Sequence, residues 1–307
     1  MAKAYSAVAA SLRLVTMFIV SLALSSCAGI QGVEQFEAYR TAFDKTYGAS
    51  TAILDQLAVQ ERALFMRRYR IDGSSGSLTF DPNLARYYTD AVDPPGTAAF
   101  RHSIDAVKAY NELLYGLATG QTAATLTAKA GQLNGKIIDA AGEAGALLGI
   151  ANQAKIQALG ALLNAAFTQA QPFIQMGLTY QSREEFRHYV IEYHAPVRAI
   201  LVELRQGTEA IFPVLTAATL RRSRVAVTAA EGKLTQQEVE KLETYRKLLA
   251  DWVILIDATI KSIDQAKAAA EAPPTVSGTI TGLTTVAIEL ETASQAARKH
   301  LAELAAK

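Results

Sequence analysis

Residues 183–215, REEFRHYVIEYHAPVRAILVELRQGTEAIFPVL, contain the pattern that decides the fold. Mostly apolar residues recur here in steps of four and three, at Phe186, Val190, Tyr193, Val197, Ile200, Leu204, Gly207, Ile211 and Leu215. This spacing is a heptad seam, typical of long helices packed at shallow angles. A second seam follows at Leu242, Tyr245, Leu249, Trp252, Ile256, Thr259 and Ile263. The two seams predict long helices that pack side by side.

A helical period covers most of the chain beyond residue 32. A third apolar stripe lies at Phe36, Tyr39, Phe43, Tyr47, Leu54, Leu57 and Leu64. Together the patterns predict helices over 33–70, 97–119, 122–171, 183–230, 235–271 and 281–306. We therefore expect an all-α protein, an elongated antiparallel helical bundle of about five to six long helices with coiled-coil-like seams.

The expected helix boundaries have sequence signals. Ser182–Glu185 and Thr235–Glu238 have the spacing of a capping box, in which a hydroxyl and a carboxylate bind the first backbone amides of a helix. Helix stops are predicted at Gly120, at Gly232 and at Pro273-Pro274. Two prolines, Pro196 and Pro213, fall inside the fourth helix, where we expect a kink that need not end the helix.

The amino-terminal residues have the organisation of a secretory signal. Lys3 and Arg13 precede an apolar run over 14–24, which is too short to cross a hydrocarbon layer of roughly 30 Å. The single cysteine, Cys27, follows Leu24-Ser25-Ser26. This arrangement resembles the lipobox of bacterial lipoproteins. The resemblance covers residues 1–27 only, and no family is recognised for the rest of the chain.

The lipobox resemblance implies an address and a modification. It implies cleavage after Ser26, a diacylglycerol on Cys27 and acylation of the new amino terminus, and several acyl chains anchor a protein stably. Ala28 stands where that family often places aspartate for retention in the inner membrane, so the outer membrane facing the periplasm is favoured. The expected organisation is a signal peptide over 1–26, a lipidated tether over 27–32 and one helical domain over 33–307.

The charge balance excludes one class of partner. Without residues 1–26 the chain has 28 basic and 29 acidic side chains. Nucleic-acid binding requires a basic excess concentrated on one face, so we expect no nucleic-acid partner. A lipidated Cys27 leaves no free thiol, and stability must then come from a hydrophobic core without disulfides. The expected partners are the membrane, through the acyl chains, and unidentified proteins of the envelope.

Two segments leave alternatives open. The loop over 71–96 lacks a helical period, and it is interpreted as a surface loop packed by Tyr87 and Tyr88 or as a contact surface for a partner. The segment 122–171 is rich in Ala and Gly, including Gly131-xxx-Gly135. Its small residues either line the bundle centre or belong to a membrane-active tongue over 144–167, as in helical pore-forming toxins. Polar residues within that tongue disfavour a stable transmembrane helix.

The search for chemistry yields few candidates. Motifs of hydrolases, nucleotide-binding proteins and metalloproteases are absent from the sequence. Glu185, His188 and Glu192 resemble half of a carboxylate-bridged metal site, but a second Glu-x-x-His is missing, and a solvated helix face is expected. We therefore predict a protein that is not an enzyme and has no cofactor or metal.

Two arginine clusters form the remaining candidate site. The clusters are Arg67, Arg68 and Arg70, and Arg221, Arg222 and Arg224. Each lies toward the carboxyl end of an expected helix, where the helix dipole favours cations without any ligand. If the two ends meet in space, the arginines would form an anion-binding patch. The predicted function is thus a lipid-anchored binding or scaffolding module, with a membrane-active protein as the alternative.

Overall fold

The computed structural model describes residues 33–71, 80–148, 183–225, 234–271 and 277–306. Within these ranges the regular structure is helical, with no strand. The α-helices are α1 (Val33–Ile71), α2 (Ala85–Tyr88), α3 (Pro95–Ala118), α4 (Ala123–Leu148), α5 (Arg183–Val225), α6 (Gln236–Glu271) and α7 (Ser277–Ala305). A short 3-10 turn, Pro82–Leu84, precedes α2. The expected all-α class is confirmed.

The described helix ends lie close to the expected ones. Gly120 adopts a φ of 74°, and the amide of Gln121 donates to the carbonyl of Gly116 at 2.9 Å, which closes α3 in a Schellman motif. At the start of α6 the amide of Thr235 donates to the Glu238 carboxylate, and the Glu238 amide donates back to the Thr235 hydroxyl. The predicted stop at Gly120 and the second capping box are therefore confirmed. Ser182, Gly232 and the proline pair at 273–274 lie outside the described residues.

One hydrophobic core connects the long helices. Helix α1 contacts α3, α5, α6 and α7, whereas α4 packs mainly against α3. The described members of the seam in α5 are buried, and so are the members of the seam in α6. Helix α5 continues through Pro196 and Pro213, as predicted. Trp252 is fully buried and meets Phe100 of α3 edge-on, with ring centroids 6.3 Å apart. Burial of these stripes is the main source of stability.

Helix α4 corrects one expectation. Gly131 and Gly135 are exposed, and a Cβ added at either would meet nothing within 4 Å. Neither glycine lines the centre of the core, because the face of α4 that packs on α3 carries Leu126, Leu133 and Ile137 instead. The interpretation of Gly131-xxx-Gly135 as a site of close helix approach inside the core is therefore wrong. None of the described helices combines the length and the apolar character needed to cross a bilayer.

Candidate functional site

The most elaborate arrangement of polar groups surrounds residues 90–93, which join α2 to α3 and are here called the ridge. Three arginines from three helices hold it. Arg62 of α1 donates from Nη2 to the carbonyl of Val92, and its Nη1 lies 3.3 Å from Oδ1 of Asp90. Charge-assisted bonds of this kind are among the strongest hydrogen bonds that fix a loop. The ridge is thus anchored to the longest helix that precedes it.

The other two arginines bind the far end of the ridge. Arg86 of α2 donates from Nε to the carbonyl of Asp93 at 2.8 Å and from Nη1 to Glu143 of α4 at 2.6 Å. Arg101 of α3 donates to the Asp93 carboxylate and also to Asp55 of α1, the latter at 2.8 Å. A loop without regular backbone bonds is therefore held by side chains from α1, α2 and α3.

A buried carboxylate fixes the start of α3 beside the ridge. Glu61 of α1 accepts from the amide of Gly96 at 2.9 Å, from the amide of Thr97 at 2.8 Å and from the Thr97 hydroxyl at 2.9 Å. Burial raises the pKa of Glu61, and the hydrogen bonds from Gly96 and Thr97 oppose that rise. The oxygens of Glu61 act as acceptors for the first amides of α3, which have no partner within the helix.

Aromatic rings pack the segment that leads into the ridge. Tyr87 is buried and stacks on Phe65 of α1, with centroids 4.0 Å apart. Tyr88 meets Phe65 edge-on at 6.2 Å, and Phe80 lies 5.4 Å from Tyr88 while remaining 71% exposed. The interpretation of a loop packed by its tyrosines is confirmed for residues 80–94, and the other interpretation, a contact surface, remains a prediction. Offset and edge-on pairs of this kind stabilise a segment beyond the area they bury.

A solvent-open cleft of about 620 Å³ lies against the ridge. Its polar walls are Arg86, Asp90, Asp93, His102 and Glu143, with Val92 and two alanines between them. The Nδ1 atom of His102 is buried and has no hydrogen-bond partner among the residues that the structure describes. The cleft therefore combines carboxylates, an arginine and apolar surface, which are the kinds of group that bind and orient a ligand.

The carboxylates and arginines at the ridge differ in their exposure to solvent. The side chain of Asp90 is 96% exposed and that of Asp55 is 63% exposed, whereas those of Arg62 and Arg101 are 12% and 22% exposed. The arginines lie under the ridge, and these two carboxylates face the solvent. An approaching molecule consequently meets negative charge first.

None of the candidate residues predicted from the sequence is among the residues that the structure shows at the ridge or the cleft. Cys27 and Ser26 lie outside the described residues, as do the side chains of both arginine clusters, so the anion patch remains a prediction. His188 and Glu192 are exposed, while the side chain of Glu185 is not described. Within the described ranges no group of three or more His, Cys, Asp or Glu side chains is arranged to hold a metal ion.

The residues that build the ridge were missed by sequence reasoning. One signal was available, because Glu61 falls between Leu57 and Leu64 at steps of four and three, on the apolar stripe of α1. A glutamate on an apolar stripe must find hydrogen-bond donors in the interior. The arginine contacts had no such signal, since Arg62 and Asp90 are 28 positions apart in sequence.

Comparisons with known proteins add no relative. No protein-family model matches the chain, and neither curated proteins nor solved structures gave a match.

Proposed function

We propose that the protein is a lipid-anchored, non-enzymatic module of the bacterial cell envelope that binds or scaffolds other proteins. In this proposal acyl chains on Cys27 hold it in the outer membrane, facing the periplasm. The helices form an elongated antiparallel bundle with coiled-coil-like seams over 33–307, and the bundle presents its side surfaces to partners. Charged and polar groups of the described helices mostly satisfy one another, as in the ridge, and this favours binding over catalysis.

One observation carries the proposal. Helix α1 begins at Val33, only six residues after the cysteine of the lipobox-like sequence. At about 3.3 Å per residue, this tether reaches roughly 20 Å. A body anchored through Cys27 would stay next to the bilayer, so any partner must be reached from the membrane surface.

Metabolic labelling tests the anchor. Cells that express the full chain are grown with radioactive palmitate, beside cells that express Cys27→Ala. We expect label on the wild-type polypeptide and none on the variant, together with release of the variant from the membrane fraction. Equal labelling of both chains, or an uncleaved wild-type chain recovered from the cell interior, would overturn the proposal.

An alternative function is favoured by the outer face of α4. Ala124, Ala128, Gly131, Gly135, Ile138 and Gly142 follow one another in steps of four and three, and all are exposed. This stripe of small and apolar residues has no charged member, although exposed Asp139 lies next to it. Such a stripe fits the second proposal, a membrane-active segment within 122–171. Release of dye from liposomes by the Cys27→Ala chain would support this alternative, and intact liposomes would contradict it. Residues 149–171 of that segment lie outside the described residues.

A further inference from the structure

The ridge carries apolar side chains that no internal role explains. Val92 is about half exposed at the top of the ridge, although its backbone carbonyl is held by Arg62. A connection between two helices does not require an exposed valine on a segment fixed by three arginines. Rigid loops with exposed apolar residues are typical of recognition surfaces, because the ordering cost is already met in the free protein.

A second apolar side chain extends this surface onto α1. Val59 is also about half exposed, and it lies between Asp55 and Arg62 on one helix face, at steps of four and three. Arg62 binds the ridge directly, through Asp90. Asp55 is connected to it through Arg101. Val59 therefore lies on the face of α1 whose Asp55 and Arg62 bind the ridge or its arginine.

The exposed carboxylates of this surface favour a positively charged partner. The outermost ionised group is Asp90, and its partner Arg62 is almost covered. Asp55 adds a second outward carboxylate, while Arg101 lies beneath the surface. A cation is attracted to such a surface, and an anion is repelled by it. The adjacent open cleft extends this acidic surface, because Asp93 and Glu143 line it together with Asp90.

We propose that the ridge, with Val59, Asp90, Val92 and the cleft beside it, docks a protein segment in which a lysine or arginine is flanked by apolar residues. The basic side chain enters the cleft near Asp90, and its apolar neighbours cover the two valines. This inference rests on the proposed binding role and names its partner class. It is independent of the lipid anchor, because no residue of the tether takes part.

Peptide binding to the full chain in detergent tests the inference. The probes are a short fluorescent peptide that alternates leucine with lysine, the same peptide with glutamate for lysine, and the same peptide with serine for leucine. We expect the leucine–lysine peptide to bind about tenfold more tightly than either of the others, a difference of about 1.4 kcal/mol. Added salt should weaken its binding, since the charges involved are exposed. Equal affinities for the three peptides would overturn the inference.

Matched variants locate the binding. Asp90→Asn should weaken the leucine–lysine peptide about threefold, within the range for exposed charge pairs. Val92→Ser should weaken it by a similar factor, because it removes apolar surface from the contact. Both side chains are exposed, so thermal unfolding should change little, by no more than the loss of the Asp90–Arg62 ion pair. The controls are Asp257→Asn, in the exposed pair with Arg205, and Ile288→Ser, at another exposed apolar position. Controls that weaken binding as much as the ridge variants would contradict the inference, and palmitate labelling would still report separately on the anchor.

Discussion

Glycines on two neighbouring helices have opposite surroundings. On α3, a Cβ added to Gly96 would lie 2.9 Å from both carboxylate oxygens of Glu61, and one added to Gly116 would lie 2.7 Å from Oε1 of Gln121. On α4, a Cβ added to Gly131, Gly135 or Gly142 would meet nothing within 4 Å. Helix α3 therefore uses glycine for close approach, whereas α4 exposes glycine to open space.

The difference shows what a small residue means in each place. Glycine in a helix costs about 1 kcal/mol relative to alanine. On α3 that cost is offset by contacts that only glycine permits, above all the hydrogen bonds of Glu61 to the start of the helix. On α4 no contact among the described residues offsets the cost of glycine. Because these glycines have no structural role within the described part of the chain, a membrane-active role for that face is kept as an alternative.

Removal of Glu61 should give the largest effect on the α3 side. Glu61→Ala leaves two buried amides and a buried hydroxyl without an acceptor, so we expect a loss of about 3–5 kcal/mol in the free energy of unfolding. Chemical denaturation followed by circular dichroism measures it. The control is Glu289→Ala, which removes an exposed carboxylate paired with Lys261 and should change little. Similar losses in the two variants would show that the α3 start does not depend on this carboxylate.

A methyl group at Gly96 should give the next largest effect. Gly96→Ala places Cβ against the Glu61 carboxylate, which cannot move away without breaking its bonds to Thr97. Overpacking of this kind costs about 2 kcal/mol. The same denaturation experiment checks it, and a double variant with Glu61→Ala should show less than the sum of the two losses. Additive losses would mean that the two residues act independently.

Much of the helical framework was predictable, because it depends on local period. The seams in α5 and α6, the stop at Gly120 and the capping box at Thr235 all follow from spacing along the chain. The environment of a glycine was not predictable, since Gly116 and Gly135 both fall within expected helices but have different neighbours. Their difference depends on which helix lies opposite, and that is a tertiary property.

The ridge shows the same limit for charged residues. In the sequence Arg62 and Arg101 look like ordinary solvated helix positions, and Arg86 falls within the expected loop over 71–96. All three bind a loop that is distant from α1 in the chain, and no periodic pattern in the sequence predicts contacts between such distant residues. Sequence reasoning identified the loop over 71–96 as unusual but could not place the groups that fix it. Only the position of Glu61 on an apolar stripe gave a local signal.

The pH dependence of stability gives another test of the role of Glu61 at the start of α3. We expect a smaller change in the free energy of unfolding from protonation of Glu61 than from Glu61→Ala. Burial raises the pKa of Glu61 above its ordinary value of 4.5, so the folded protein holds this proton more tightly than the unfolded chain. The resulting stabilisation is present below pH 4.5 and is lost as the pH rises through the folded pKa. Glu61→Gln should lack this part of the pH dependence in unfolding measurements. Parallel curves for the two proteins would place the folded pKa of Glu61 at its ordinary value.

The smallest expected effect has the opposite sign and lies on α4. Gly135→Ala adds a methyl group where nothing lies within 4 Å, so it should gain helix propensity without a steric cost. We expect stabilisation by about 0.5–1 kcal/mol, measured as an upward shift of the denaturation midpoint. Gly142→Ala should behave alike, whereas Gly116→Ala should destabilise, because its Cβ would also lie 3.0 Å from Leu126. Destabilisation by Gly135→Ala would mean that the outer face of α4 is covered in the intact protein, and the contrast between the two helices would then fail.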